Sequence, residues 1–578
     1  MTKKTFVLLA ILISVHVIFN LAYLYLDQAP IPWDQANHTR TAVLLKNCFL
    51  GGGGNCLEIS FYYPIFTHTI TAVAFMLFGT SIKLAQFMGT LFFVGCIVAV
   101  FLFLKEFFKS EKTALLATTI FSLFPVIFHS SRYLWLEIPL LMNCFLSMYF
   151  LLKSKGFRNR KYTFLAFLFA GLATMTKWYT PVYLLIPFVF EFKRALKTLG
   201  DQKVHVKLEN LLIGGFTFVL INLPWYVANM SSILERILYY SKGDLSQPVG
   251  ILSKESLLWY LDIGLKYQFG PLPFMVAIIS LIAFLVFFKR ADVNNKEVKI
   301  YSVVFIIFNY VVFTLLENKD LRFTFIYIPF FTYFIAYSLR LLAGKLGRIF
   351  SVLGYIPFIL AFGWLLFFHV NFTFAWPVQK PYKYIVKIPV FDWIQVINLS
   401  SYPITRPNNN KYPVEDVVTD INKLSKDEDV TVLVVFDYPR LNSTNLILQQ
   451  LTMKDDDNYR TRIESFFVRE GLKSDGEALR YLTGFDYALV TTNETSSGYF
   501  RFKKDFDRLQ NALLDGDHQE IGRYKLPVSD IHYYLDNSSP PEMRQNRTHT
   551  CTYLELCDEL VLYKINKGIY PPVFPVGD

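Results

Sequence analysis

Long uncharged apolar runs, most of them ended by basic residues, dominate this chain from residue 5 to about residue 370; beyond residue 411 polar and charged positions alternate with short apolar strings. About 20 apolar residues carry a helix across a bilayer. The runs therefore predict about eleven spans, near 5–26, 84–105, 113–131, 138–152, 162–176, 178–192, 209–228, 271–288, 300–316, 321–339 and 349–369. The apolar stretch 65–79 is read as an interfacial or re-entrant helix in the first outer loop. In the tail, 430–436 reads as a buried strand followed by an apolar periodic stretch over 442–451, and 487–491 and 560–563 read as further strands. The expected architecture is a multi-spanning α-helical membrane protein with a C-terminal soluble α/β domain whose sheet is partly parallel. A connector bearing Pro403, Pro407 and Asn408 to Asn410 marks the boundary. It gives a membrane domain over 1–370, a linker over 371–412 and an extracytoplasmic domain over 413–578.

Composition agrees: 53% of the 578 residues are hydrophobic, 57 of them Phe. The net charge of +11 raises nucleic acid as a partner. The basic residues, however, cluster at the ends of apolar runs, which membrane orientation requires and nucleic-acid binding does not. With Lys3 and Lys4 before an apolar run that lacks a small-residue cleavage site, the first run reads as a retained span with its N-terminus on the cytoplasmic side. The basic loops 105–112, 153–161, 193–207, 289–299 and 340–348 then share that side. The loop 27–64, the turn 132–137, Lys177, the loop 229–270, residues 317–322 and the whole tail share the other. Eight Asn-x-Ser/Thr sequons fall on this outer face, at Asn37, Asn229, Asn371, Asn398, Asn442, Asn493, Asn537 and Asn546. Cys96 and Cys144 lie in apolar runs, whereas Cys48 with Cys56 and Cys551 with Cys557 are spaced for two short-range disulfides if that side is oxidising.

Several ionisable groups on the outer face are hard to explain by packing. Asp34 follows the first span within Trp33-Asp34-Gln35-Ala36-Asn37-His38, Glu137 opens a span, and Lys177 separates two apolar runs. Arg322 opens another run, with Lys319 and Glu317 just before it. Carboxylates and fixed cations on one membrane face suit a reaction on an anionic lipid-linked substrate, with cations holding phosphate and a carboxylate handling a proton. A structural reading stays open beside it: Glu137 pairing with Arg132, Lys177 snorkelling to headgroups, and Lys319 and Arg322 as ordinary loop charges. Neither the strand 430–436 nor Gly51 to Gly54 has the context of a phosphate-binding loop. A transporter or lipid flippase is the alternative to an enzyme, but its substrate site is expected at mid-membrane, not on one face. A receptor or assembly protein is a third reading, for which the tail offers no ligand motif.

The order of motifs resembles the polyprenyl-phosphate-sugar-dependent membrane glycosyltransferases of the GT-C fold, in particular the protein O-mannosyltransferase-like and lipid A aminoarabinose transferase-like groups. The matching segments are Trp33 to His38, Tyr63-Pro64 through Leu77-Phe78-Gly79, Arg132 to Pro139, Gly171 to Lys177, Leu223-Pro224-Trp225 and Arg322 to Pro329. The resemblance implies transfer of a sugar from a polyprenyl-phosphate donor to a hydroxyl of a protein, lipid or glycan acceptor at the extracytoplasmic face of a plasma or endoplasmic reticulum membrane. It makes Asp34 the catalytic base, with Glu137 lining the same cavity, and brings Lys177 and Arg322 to the donor phosphate. Lys319, Arg132, His38 and Tyr63 are the further substrate contacts expected. The chain departs from the pattern at Gln35, where an acid usually follows the Asp, and at Tyr62-Tyr63, where the aminoarabinose group has Glu-Lys. No cofactor is assigned and no metal ligand is named, although a divalent metal is left open; membrane lipids are the remaining partners.

Overall fold

The computed structural model describes residues 1–60, 62–197, 204–241, 252–288, 295–316, 319–345, 348–376, 383–388, 391–398, 407–408, 411–425, 428–438, 440–453, 461–466, 472–492, 503–526 and 559–567. Within these, the chain opens with α1 (Lys3–Leu26), α2 (Trp33–Phe49), α3 (Phe66–Phe78), α4 (Ile82–Phe108), α5 (Glu111–Leu123) and α6 (Pro125–Ser130). It continues through α7 (Glu137–Ser154), α8 (Arg160–Thr174), α9 (Thr180–Lys197), α10 (Val204–Ser241), α11 (Lys254–Ile263), α12 (Pro271–Phe287) and α13 (Asn295–Thr314). A 3-10 turn over Leu321–Tyr327 leads into α14 (Ile328–Lys345), and α15 (Arg348–Phe374) follows. The chain divides into two compact units. The first comprises Met1–Leu26, Leu44–Leu399 and Pro403–Pro407, and the second Asp27–Val43, Ser400–Tyr402 and Asn408–Asp578.

In the first unit every expected span is largely helical, but among the described residues length and composition qualify six helices as able to cross a membrane. These are Lys3–Leu26, Ile82–Phe108, Val204–Glu235, Lys296–Thr314, Leu321–Ala343 and Gly354–Phe374. The expected crossings near 113–131, 138–152, 162–176, 178–192 and 271–288 correspond to α5, α7, α8, α9 and α12, which have 13, 18, 15, 18 and 17 residues. The count of eleven is thus not carried by helix length and composition together: α7 and α9 are long enough, whereas α5, α8 and α12 are shorter, and at Phe124 the run 113–131 breaks as Pro125 opens α6. The apolar stretch 65–79 forms α3, whose 13 residues span about 20 Å at 1.5 Å per residue, too short for a bilayer core. The expected linker is not bare: α15 runs on to Phe374, and β1 (Lys383–Ile388) pairs antiparallel with β2 (Phe391–Asn398).

Close packing fixes the segment ahead of α7. A Cβ added to Gly89 on α4 would stand 2.0 Å from the Tyr133 carbonyl oxygen, so only glycine admits this backbone approach. Asn20 of α1 donates to Ser131 Oγ at 2.8 Å and to Thr90 Oγ1 at 3.2 Å, tying α1, α4 and the segment directly to one another.

In the second unit α16 (Val414–Leu424), β3 (Val430–Val435), α17 (Ser443–Thr452), β4 (Thr461–Ser465), α18 (Asp475–Leu482), β5 (Tyr487–Thr491), α19 (Lys503–Leu514), β6 (Gln519–Lys525) and β7 (Glu559–Lys564) follow in order. The sheet order is β4-β3-β5-β7-β6. β3 runs parallel to β4 and β5, while β7 is antiparallel to both β5 and β6. The apolar run Val432–Val435 of β3 is explained by burial on both faces. Val432 and Val434 pack with Val417, Ile421 and Leu446 of α16 and α17, and Leu433 and Val435 pack with Leu482, Phe506 and Leu509 of α18 and α19.

Candidate active site

Glu137 is the first residue of α7 and is 2% exposed. Its position follows from the preceding segment, which Arg132 braces: the guanidinium is fully buried, donates from Nη1 to Phe372 O at 2.6 Å and from Nη2 to Thr373 Oγ1, and lies over the Tyr23 and Phe128 rings at 4.5 and 4.9 Å. Arg132, expected at the substrate, is thus engaged with α15 and α1. The ion pairs of Glu137 run to two of the other expected cations. Lys177 Nζ lies 2.5 Å from Glu137 Oε1 and Arg322 Nε lies 3.6 Å from the same oxygen.

Lys177 reaches this point because α8 stops at Thr174 and the chain turns before α9: the Lys177 amide donates to Ala173 O at 3.0 Å, and Thr180 Oγ1 closes the turn on Lys177 O at 2.7 Å. Its ammonium lies 5.3 and 5.4 Å from the Tyr63 and Tyr179 ring centroids, so Tyr63 joins the cluster through its π face. Arg322 is set by the 3-10 turn, whose cap is Asp320. The Asp320 carboxylate accepts the Arg322 backbone N–H at 2.8 Å and pairs with its Nη2 at 2.5 Å. Burial alone would raise the Asp320 pKa; the adjacent guanidinium outweighs it and holds the carboxyl below its usual range. Trp135 receives the Arg322 guanidinium over its ring at 5.6 Å.

Two cations and two carboxylates therefore meet on the openings of three elements. One valence is left over: Glu137 Oε2 is buried and has no hydrogen-bond partner among the described residues. A buried acceptor without a donor costs about 1–3 kcal/mol, and a ligand hydroxyl would satisfy it. Lys319, also expected here, instead donates to the carbonyls of Thr314 and Phe313 at the end of α13. Its burial lowers the ammonium pKa to about 8. Glu317 lies outside the described residues.

Asp34 and His38 belong to the second unit, in the first turns of α2; Asp34 is half-buried and His38 is 2% exposed. One residue pair that sequence reasoning missed is here. Trp33 Nε1 donates to Asp437 Oδ1 at 2.7 Å, and the half-buried Asp437 carboxyl has its pKa pushed up to about 7 by desolvation, with the indole hydrogen bond pulling the other way. The other missed members are Asp320 and Trp135. An Asp directly before the apolar run 321–339 is the signal that would have found Asp320, while nothing in the sequence linked Asp437 to a residue 404 positions earlier.

Cys48 and Cys56 form a disulfide, while Cys551 and Cys557 lie outside the described residues. Three of the sequon asparagines, Asn229, Asn371 and Asn442, are at most 3% exposed. Among the described residues no three His, Cys, Asp or Glu side chains converge as a metal-binding set.

Residues 4–240 match the family model described as dolichyl-phosphate-mannose-protein mannosyltransferase. A search by sequence among curated proteins finds no match. Among solved structures, ArnT from Cupriavidus metallidurans bound to undecaprenyl phosphate superposes with a TM-score of 0.53 at 12% identity, over 90% of this chain and 97% of that one. The same protein in the apo state gives 0.53 at 14% identity, over 89% and 95%. At such identities the likeness is one of fold. The resemblance drawn from motif order is met by the family model over residues 4–240 and, as to fold alone, by the solved structures.

Proposed function

We propose that this chain, a membrane glycosyltransferase of the polyprenyl-phosphate-sugar class, transfers its sugar to an acceptor hydroxyl at the extracytoplasmic face with inversion at the anomeric carbon. The observation that carries the reading is the buried convergence of Lys177 and Arg322 on Glu137. Two cations prearranged by carboxylates suit a phosphate that gains negative charge as its bond to the sugar breaks. Glu137 has the role of holding Lys177 and Arg322 in place, and its free Oε2 is assigned to a hydroxyl of the bound substrate. Asp34 is assigned the base on the motif resemblance. It takes the proton from the acceptor O–H as that oxygen attacks the anomeric carbon, and polyprenyl phosphate departs with the electron pair of the C–O bond. Because phosphate leaves already charged, no general acid is required, unlike in glycosidases.

The Cys48–Cys56 disulfide supports an oxidising, extracytoplasmic side for the first loop, as the clustering of basic loops does for the opposite face. Purified protein incubated with a panel of polyprenyl-phosphate sugars, beginning with the mannose donor that the matched family's description names, tests the reading by release of polyprenyl phosphate. Asp34→Asn is expected to abolish release while donor binding persists. Absence of release with every donor and acceptor class would overturn the function, and turnover by Asp34→Asn would remove Asp34 as base.

A further inference from the structure

The Asp27–Val43 segment groups with the α/β domain although about 365 residues separate it from Asn408, where that domain's main stretch begins. The sheet's topology indicates why. From β3 the chain reaches β4 through α17 on one face, then passes back across β3 to β5 through α18 on the other. That reversal puts a topological switch point at the carboxyl ends of β3 and β5, where open α/β sheets bind their ligands. In this chain the residues that leave β3 there contact the chain's own N-terminal segment. Asp437 accepts the Trp33 indole N–H at 2.7 Å, Arg440 Nη1 pairs with Asp27 Oδ1 at 3.0 Å, and Asn445 in the first turn of α17 donates to Ile31 O at 2.8 Å. Asn408 adds a backbone clasp, its carbonyl accepting the amides of Gln28 and Ala29 at 2.7 and 3.1 Å and its amide donating to Asp27 Oδ1 at 3.0 Å.

We propose that the α/β domain takes the Asp27–Val43 segment as its resident ligand at this switch point, and that Asp437 and Arg440 are positioning residues for Asp34. The inference rests on the reading of Asp34 as base. Trp33 and Asp34 are the first two residues of α2. An indole tethered at one and a buried ion pair at Asp27 therefore fix both the rotation of the first helical turn and the path by which the chain enters it. Asp27 and Arg440 are 0 and 2% exposed, so each charge depends on the other. The half-buried Asp437 carboxyl commits one oxygen to the Trp33 indole, a hydrogen bond that ties the end of β3 to the first residue of α2.

The test uses the full-length protein in detergent, with kcat and donor KM measured alongside the rate of trypsin cleavage after Arg40, which lies within the held segment. Trp33→Phe and Asp437→Leu are expected to lower kcat about tenfold or more with donor KM changed less than about twofold, since misplacement of a base by about 1 Å costs turnover and not donor binding. Both are expected to speed cleavage after Arg40, and Asp437→Asn, which keeps an oxygen for the indole N–H, is expected to recover most of kcat relative to Asp437→Leu. Should Asp437→Leu not fold, Trp33→Phe carries the same test. Wild-type kcat and wild-type cleavage in Trp33→Phe would overturn the proposal, as would equal losses of kcat in Asp437→Asn and Asp437→Leu. Turnover by Asp34→Asn would instead overturn the base assignment, and the cleavage rates would then still support or overturn the docking itself.

Discussion

Glu137 and Lys177 illustrate how much a single buried pair determines. With both side chains at most 4% exposed, neither ion is compensated by water. Removing one partner strands the other, which in buried pairs costs about 3–5 kcal/mol, whereas removing both is far milder. Thermal unfolding in detergent is therefore expected to show Glu137→Gln and Lys177→Met each strongly destabilised and the double variant more stable than their sum; additive losses would argue against the pair. Asp437 gives a pH prediction of definite sign. Its pKa rises from 3.8 to about 7 on folding, so the folded state holds the proton more tightly. The stability this brings is full below pH 3.8 and is lost as pH rises through about 7. Asp437→Asn removes this dependence. The melting-temperature difference, wild type minus variant, is expected to fall between about pH 4 and 7 and to level off above, and a flat difference would count against a raised Asp437 pKa.

At the scale of elements, the cluster exists because three helical segments begin where they do. α7 starts at Glu137 only after the 131–136 segment has been pressed onto α4 at Gly89, where an added Cβ would come within 2.0 Å of a carbonyl oxygen. Gly89→Ala must therefore shift backbone, not a side-chain tip, at a cost of about 1–3 kcal/mol or more. It is expected to raise donor KM and lower thermal stability together, as measured by donor titration and unfolding of the same preparation; a neutral outcome would mean that the segment adapts without moving Glu137. The beginnings of these elements were partly legible. The break between the expected spans 162–176 and 178–192 falls at Lys177, as the turn between α8 and α9 does. The 3-10 form of 321–327 was not legible, because Asp320 competes for local hydrogen bonds in a stretch whose apolar content alone reads as membrane helix.

For the whole molecule, orientation is the property most open to direct measurement. Reporter fusions after Arg158 and after Lys567 are expected to give opposite sidedness, the first cytoplasmic, because the 153–161 loop carries five basic residues; the same side for both would overturn the proposed topology. Apolar runs and basic flanks determined by themselves that this is a helical membrane protein with a polar α/β tail, since hydrophobic burial and charge exclusion act locally along the chain. They also singled out Asp34, Glu137, Lys177 and Arg322, because ionisable groups are rare at apolar boundaries unless they are used. Which of those charges meet was decided by tertiary structure alone. Glu137 pairs with Lys177 40 residues away, and Trp33 with Asp437 404 residues away, whereas the nearer Arg132 is spent on α15. Sequence spacing cannot encode such choices: a buried charge takes whichever partner packing brings within hydrogen-bonding distance, and packing is a property of the folded chain.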